Sequence, residues 1–197
     1  MSDQDPLQPT ASDNGLDAEG IVREHIGWML TLAENMLRDR GQAEDTVQDA
    51  FMSAFRSMPD FEGRSSLKTW LHRITVNSAL DRLRRTGRLA EQSIDGLLPE
   101  FDQYGCRIEP PWASMLSPQE VAESAQLQRL VQQQIDVLPD AYRIVLQLRD
   151  VEEYDTGEVA EMLNLTPANV KVRLHRARAA LKKLLEPILR GEVSHEP

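Results

Sequence analysis

Apolar residues recur along the first half of the chain at the three- and four-residue spacing of amphipathic helices. They predict a helix over about residues 18–39, which ends at Arg40 and Gly41, and a second over about residues 43–58, which ends at Pro59. The apolar face of the first predicted helix consists of Val22, Ile26, Met29, Ala33 and Met36. Two amphipathic helices in a row favour a helical domain.

A third helix is expected to begin after Ser65 or Ser66, which suit an N-cap, and to reach about Arg85. It has two apolar faces, and the narrow polar strip between them carries Arg73, Asn77 and Arg84. From about residue 87 to 116 the periodicity is lost, and glycine, proline and acidic residues accumulate. This composition predicts a flexible acidic linker.

Helical patterns resume in the second half behind recognisable helix starts. A Ser-Pro-Gln-Glu run at 117–120 is a capping box, Pro139 opens the next helix, and an Asp-Thr-Gly-Glu run at 155–158 caps a short one. Thr166 and Pro167 then start the last helix. Since no β-strand pattern of useful length occurs, the predicted fold class is all-α.

The 197 residues therefore divide into two small helical domains joined by a flexible acidic linker. The segments, in chain order, are a disordered acidic tail (1–17), a first domain (18–86), the linker (87–116), a second domain with a helix-turn-helix (117–190) and a tail (191–197). The first tail lacks the basic and apolar residues of a secretory leader, and no apolar run approaches the ~20 residues needed to cross a bilayer. We expect a cytoplasmic protein.

Net charge at first argues against a nucleic-acid partner, because the chain carries -10 at pH 7 and phosphate binding requires basic residues. The distribution changes this picture. Between Gly63 and Arg88 there are seven basic residues and one acid, and between Thr166 and Leu185 there are six basic residues and no acid. Two basic segments thus lie in an acidic chain.

The second basic segment belongs to a helix-turn-helix pattern over residues 156–175. Small Ala160 permits close helix approach, Val170 anchors the second helix, and Asn164 suits the left-handed turn between them. In such motifs the first turns of the second helix face the bases of the major groove, and neighbouring cations hold phosphates. A solvated basic face on a packing helix is the alternative.

The second predicted helix carries an acidic patch on the side opposite its apolar face. The members of this acidic patch are Glu44, Asp45, Gln48, Asp49 and Met52. An acidic surface with one exposed apolar anchor is suited to a basic protein partner.

Three runs in the first half, AEDTVQDAF at 43–51, FEGRSSLKTWL at 61–71 and ITVN at 74–77, resemble region 2 of the extracytoplasmic-function sigma factors in the sigma-70 family. The second half, from Leu138-Pro139 through VKVRLHRAR at 170–178, resembles region 4 of the same family. The two matches follow the order of the family and together cover most of both predicted domains.

The resemblance implies an alternative sigma factor that binds core RNA polymerase and directs promoter-specific initiation. It implies that the acidic patch docks on the clamp helices of the largest subunit, that the second domain reaches the flap region, and that a cognate anti-sigma factor exists. It assigns the minus-10 element to Phe61, Arg64, Ser65, Ser66, Lys68, Trp70, Arg73, Asn77 and Arg84. It assigns the minus-35 element to Arg149, Asn169, Lys171, Val172, Arg173, His175, Arg176 and Arg178.

Other interpretations remain open at this point. Trp70 lies on an apolar face and also fits a core position. A stand-alone helix-turn-helix regulator would share the second domain but would not bind polymerase. An enzyme would need convergent titratable groups, which the sequence does not display. The four histidines are scattered and Cys106 is the single cysteine, so we expect no metal, no cofactor and no catalytic residue.

Overall fold

Helices build all the regular structure in the part of the chain that is described, and no strand occurs there. The structure is a computed structural model that describes residues 18–90, 92–99 and 125–189. The predicted all-α class is confirmed. Contacts divide the chain after Ser78 into two units. The predicted tails, most of the linker, Cys106 and the capping box at 117–120 lie outside the described residues.

Three long helices lie in the described part of the first unit, the third of which extends beyond it. Helix α1 spans Ala18–Leu37, α2 spans Arg40–Ser57 and is followed by a single 3₁₀ turn, Met58–Asp60, and α3 spans Leu67–Arg85. The last turns of α3, beyond Ser78, group with the second unit. Ser66 caps α3 as expected, because its Oγ accepts a hydrogen bond from the Thr69 N–H at 3.1 Å.

The turn between α1 and α2 comes earlier than predicted. Arg40 and Gly41 do not end α1 but form the first residues of α2. The chain reverses at Arg38, whose φ is 55°, and Asp39 then caps α2 by accepting from the Gln42 N–H at 2.9 Å. The Asp39 side chain satisfies an otherwise unpaired N–H of α2. The helix start that it favours outweighs the helix end predicted from Gly41.

The buried face of α1 is rotated relative to the prediction. Met29, Ala33 and Met36 are fully buried as expected, but Ile26 is 40% exposed and Val22 is half-buried. The residues buried on α1 are Ile21, His25, Met29, Leu32, Ala33, Met36 and Leu37. Ile26 and Val22 therefore lie at the edge of the α1–α2 contact rather than at its centre.

Four further helices lie in the described part of the second unit. Helix α4 spans Ala125–Val137, α5 spans Asp140–Leu146 and continues as a π turn, α6 spans Thr156–Leu163 and α7 spans Pro167–Leu189. Helices α4, α5 and α6 all contact α7. The long last helix is therefore the element around which this unit is packed.

The first residues of the predicted linker are part of this packing. Ile94 is 1% exposed, and a 3₁₀ turn follows at Asp95–Leu97. The Lys183 ammonium on α7 donates to the Leu98 carbonyl at 2.8 Å. The composition of this segment did not indicate that one of its apolar residues would be buried.

A buried ion cluster lies at the start of α5. The Arg143 side chain is fully buried, and its Nη2 donates to Asp140 Oδ1 at 2.7 Å. Asp140 Oδ2 also accepts from Arg88 Nε at 2.7 Å. A buried guanidinium is tolerated only where a carboxylate compensates its charge, so Asp140 is required by the core of the second unit.

Replacement of Asp140 by alanine should lower the free energy of unfolding of the second unit by about 3–5 kcal/mol, because it removes the carboxylate that is hydrogen-bonded to the buried Arg143 guanidinium. Urea unfolding followed by circular dichroism measures the loss. The control is Asp150→Ala, which removes a carboxylate from the surface pair with Arg178, where the side chains are 30% and 57% exposed. That variant should lose about 0–1 kcal/mol. Equal losses would contradict a special role for Asp140.

Candidate functional site

The helix-turn-helix of the second unit is built by local capping. The Asp155 side chain accepts from the Glu158 N–H at 2.8 Å, and the Glu158 side chain accepts from the Asp155 N–H at 3.0 Å. This reciprocal pair is the capping box that the sequence predicts for α6. At the other end of α6, Asn164 adopts φ 53° and ψ 48°, the left-handed conformation expected of it.

Apolar contacts then fix α6 against α7. Val159, Ala160 and Val170 are all buried, as the helix-turn-helix pattern requires. Thr166 caps α7, because its Oγ1 accepts from the Asn169 N–H at 3.2 Å. Since both helices are held from inside, the outer side of α7 can present side chains to a partner.

The predicted base readers form one exposed surface on the first turns of α7. Its members are Asn169, Lys171, Val172, His175 and Arg176. Val172 is 54% exposed, so an apolar side chain stands among polar ones. Arg173, by contrast, is half-buried. The surface combines the polar and apolar side chains that base recognition in a major groove uses.

Acidic groups and carbonyls of the same unit engage several nearby cations. Arg178 makes a two-point contact with Asp150, with Nε to Oδ2 at 2.8 Å and Nη2 to Oδ1 at 2.5 Å. The hydrogen bond to this carboxylate, reinforced by its charge, raises the pKa of Arg178. Arg149 is half-buried and donates to the Tyr154 carbonyl, so it is less accessible than the sequence indicates.

A polar stripe runs along α3 in the first unit. Trp70, Arg73 and Asn77 recur at spacings of three and four, so they share one face, and Arg73 and Asn77 are exposed. Arg84, the remaining residue of the predicted strip, lies in the part of α3 that groups with the second unit and is bonded to Asp81 at 2.5 Å. Arg84 also donates to the Met162 carbonyl. We therefore take Arg73 and Asn77 as the accessible part of the stripe.

A cavity of about 200 Å³ opens at the start of α3, beside this stripe. Its walls include Phe61 and Trp70, whose ring centroids lie 4.8 Å apart at 33°. The other lining residues are Asp60, Glu62, Arg64 and Ser65. The structure thus brings together four of the predicted minus-10 residues and places Trp70 at a cavity wall rather than in the core. The two acids were not predicted as part of this site.

An apolar groove of about 490 Å³ lies between α1 and α2. Val22, Ile26 and Leu30 form its α1 side, and Val47, Phe51 and Phe55 line its α2 side together with Glu44, Gln48 and Met52. All five residues of the acidic patch are exposed, and Met52 is 55% exposed. The prediction identified the α2 rim of this groove but missed its α1 wall, for which the four-residue spacing of Val22, Ile26 and Leu30 was the available signal.

Among the described residues, no group of three or more histidine, cysteine or acidic side chains is arranged to hold a metal ion. No helix in that same part of the chain combines the length and apolar character needed to span a membrane.

Comparison with known proteins assigns the two units. The family model described as Sigma-70 region 2 matches residues 21–89, and the model described as Sigma-70, region 4 matches residues 128–181. The ECF RNA polymerase sigma factor SigW of Bacillus subtilis is 32% identical, over 80% of this chain and 82% of that protein. The chain belongs to the extracytoplasmic-function sigma factors of the sigma-70 family.

Other members of this family are similarly close. The RNA polymerase sigma-H factor of Pseudomonas aeruginosa is 32% identical over 86% of both chains. Among solved structures, the sigma factor RpoE of Bartonella quintana, in complex with the anti-sigma factor NepR, matches with a TM-score of 0.50 and 25% identity. The match covers 86% of this chain and 96% of that one. The protein is thus an alternative sigma factor for promoter-specific transcription initiation.

Replacement of Asp150 by asparagine should strengthen binding of duplex minus-35 DNA by the sigma factor in complex with core polymerase. The change removes the carboxylate that competes with DNA for Arg178, so the affinity should rise, whereas the slope of log K against log salt should stay the same, because Arg178 contacts one phosphate in either protein. Fluorescence anisotropy over a salt series measures both quantities. Glu161→Gln removes one exposed negative charge without releasing an arginine and should have the smaller effect. Equal effects would show that Arg178 does not gain a phosphate.

Proposed function

We propose that the groove between α1 and α2 is the surface that docks on core RNA polymerase. Exposed Ile26 and Met52 supply an apolar centre, and Asp45 and Asp49 add exposed negative charge on α2. A partner surface with apolar knobs and basic flanks fits this combination, because burial supplies affinity and charge complementarity supplies orientation. The clamp helices of the largest polymerase subunit are the partner that family membership indicates.

The cavity beside Trp70 and the stripe with Arg73 and Asn77 are proposed to take the minus-10 element. Opening a duplex requires a site that stabilises an unstacked base, because unstacking costs a few kcal/mol. Phe61 and Trp70 provide aromatic walls, and Arg64, Lys68 and Arg73 provide cations at the same end of α3. Ser66 serves this site indirectly, by capping the helix that carries it.

The exposed face of α7 is proposed to read the minus-35 element in the major groove. Arg176 and Lys171 can donate to guanine, Asn169 can pair with adenine, and exposed Val172 suits contact with a thymine methyl group. Arg178 is proposed to exchange Asp150 for a phosphate when DNA binds. We further propose that this unit contacts the flap region of polymerase.

Regulation by a cognate anti-sigma factor is proposed from family membership and from the Bartonella complex, in which the sigma factor is bound by the anti-sigma factor NepR. The relatives are sigma factors, and we propose that this chain likewise has no catalytic activity of its own. Because its target is an enzyme that works on the chromosome, we propose the cytoplasm as its place of action.

The charge reversal Asp49→Arg should weaken binding to core polymerase by tenfold or more, because it places a cation in the centre of the acidic patch. Competition for purified core enzyme with a labelled wild-type sigma factor measures the affinity. The control Glu24→Arg makes the same charge change at an exposed position of α1 that does not line the groove. Unchanged core affinity of the Asp49 variant would remove the docking assignment. Failure of the wild-type chain to bind core, with DNA binding retained, would instead support a stand-alone regulator.

Truncation of Arg176 to alanine should reduce transcription from promoters that need the minus-35 element, with no change in core affinity. Loss of one two-point contact to guanine is worth about 1–3 kcal/mol, or roughly fivefold to 150-fold. Arg129→Ala, at an exposed position of α4, is the matched control. Run-off transcription from templates with intact and scrambled minus-35 sequences separates the effects. An equal loss on both templates would rule out sequence reading by Arg176.

A further inference from the structure

A second aromatic and basic cluster lies in the first unit, where α1 contacts α3. The Trp28 indole stacks on the His72 ring with centroids 6.1 Å apart and planes at 21°. The Lys68 ammonium lies over the Trp28 ring, 5.9 Å from its centroid. Buried His25 fixes the indole, because its Nδ1 accepts the Trp28 Nε1–H at 3.2 Å. Trp28, Lys68 and His72 form the Trp28 cluster.

The Trp28 cluster is separate from the cavity beside Trp70. Lys68 and His72 are four residues apart and share one face of α3. Trp70 lies two residues from each, which at about 100° per residue turns it to the other side of the helix. The cluster and the cavity therefore flank the first turns of the same helix, and only Lys68 was predicted from the sequence as a DNA contact.

Lys68 has the properties of an anion-binding group. It is exposed, and among the described residues it has no carboxylate within ion-pair distance. The sequence from Gly63 to Leu80 contains no acidic residue. The indole beneath it holds the ammonium by a cation–π contact and so restricts a side chain that is otherwise mobile. A restricted, uncompensated cation next to half-buried aromatic rings is the combination found in single-strand binding sites.

We propose that the Trp28 cluster is a second contact site for a separated promoter strand. Lys68 binds a phosphate, and the exposed parts of Trp28 and His72 contact the adjoining nucleotide. This inference rests on the proposed capture of a base in the cavity beside Trp70. A strand crosses the ~10 Å width of one helix within about three nucleotides, even at the ~3.4 Å spacing of phosphates along a duplex strand. A strand held in the cavity can therefore reach the cluster.

Site-specific photo-crosslinking tests the proposal in the complete complex of sigma factor, core polymerase and promoter DNA. A benzophenone amino acid replaces Trp28 in one variant and Ile26 in the other. Both positions are on α1, but Ile26 lies on the groove that is proposed to meet polymerase. We expect position 28 to crosslink to a DNA strand on templates with a melted minus-10 region, and position 26 to crosslink to the largest polymerase subunit.

Three outcomes overturn the proposal, and they are distinguishable. Crosslinking from position 28 to protein only, as an acidic polypeptide partner would give, excludes DNA as the ligand. No crosslink from position 28, in complexes that initiate and that crosslink from position 26, overturns the Trp28 cluster but leaves the proposed function intact. No crosslink from either position, with no binding to core, overturns the proposed function and this inference with it.

A salt series provides a second measurement that does not depend on the probe. Lys68→Gln should reduce the slope of log K against log salt for binding of fork DNA by about 0.7. This is the contribution of one phosphate contact to a single strand. Lys68→Arg should restore it. Trp28→Leu should reduce the slope when Lys68 is present but should have no effect on the slope of the Lys68→Gln variant. The reason is that the Trp28 ring acts on the slope by positioning Lys68. The control Arg23→Gln removes an exposed cation elsewhere on α1. An unchanged slope in Lys68→Gln would contradict the phosphate contact.

Discussion

The buried pair of Asp140 and Arg143 is the constraint on which the arrangement of the second unit depends. The Arg143 guanidinium has no access to water, and its charge can be kept inside only by a carboxylate held at hydrogen-bond distance. That requirement fixes the first turn of α5. The residues that follow, Ile144 and Val145, are fully buried in the core, and α5 packs along α7. The orientation of the exposed surface of α7 thus depends partly on a buried ion pair in the core of the unit.

Acidic and basic groups are distributed so that an acidic chain can still bind DNA. Some cations on the basic face of α7 are paired with carboxylates. Arg178 is hydrogen-bonded to Asp150, and Arg176 Nη1 lies 3.9 Å from Asp95 Oδ1. Such pairs are only partly buried, so each is weak, as the proposed exchange of a carboxylate for a phosphate requires. Because the ion pair must break first, each such phosphate contact would add less free energy to DNA binding. The pairing also reduces attraction to random DNA, for which the phosphate backbone supplies nearly all the affinity.

Local signals made most of the fold predictable, and long-range contacts account for what was missed. The capping box at Asp155 and the left-handed Asn164 depend on neighbours within a few residues, so the sequence indicates them directly. The α1 wall of the groove was missed because the exposure of Ile26 depends on how α2 covers α1. The partner of Arg178 is 28 residues away, and no periodicity connects the two. The burial of Ile94 likewise arises from packing and not from the composition of its own segment.

The first unit presents chemically different surfaces on its three described helices, and helix geometry explains how this is possible. A helix that packs on its neighbours along a stripe leaves its remaining faces available. On α2 the remaining face is acidic, on α3 it is basic and aromatic, and the groove between α1 and α2 is apolar. Because the charges on α2 and α3 are opposite, a basic protein partner and a DNA strand would not compete for the same site. The exposed apolar side chains of Ile26 and Met52 lose contact with water only when a partner covers the groove, so the proposed docking on polymerase would be favoured by the same hydrophobic effect that folds the unit.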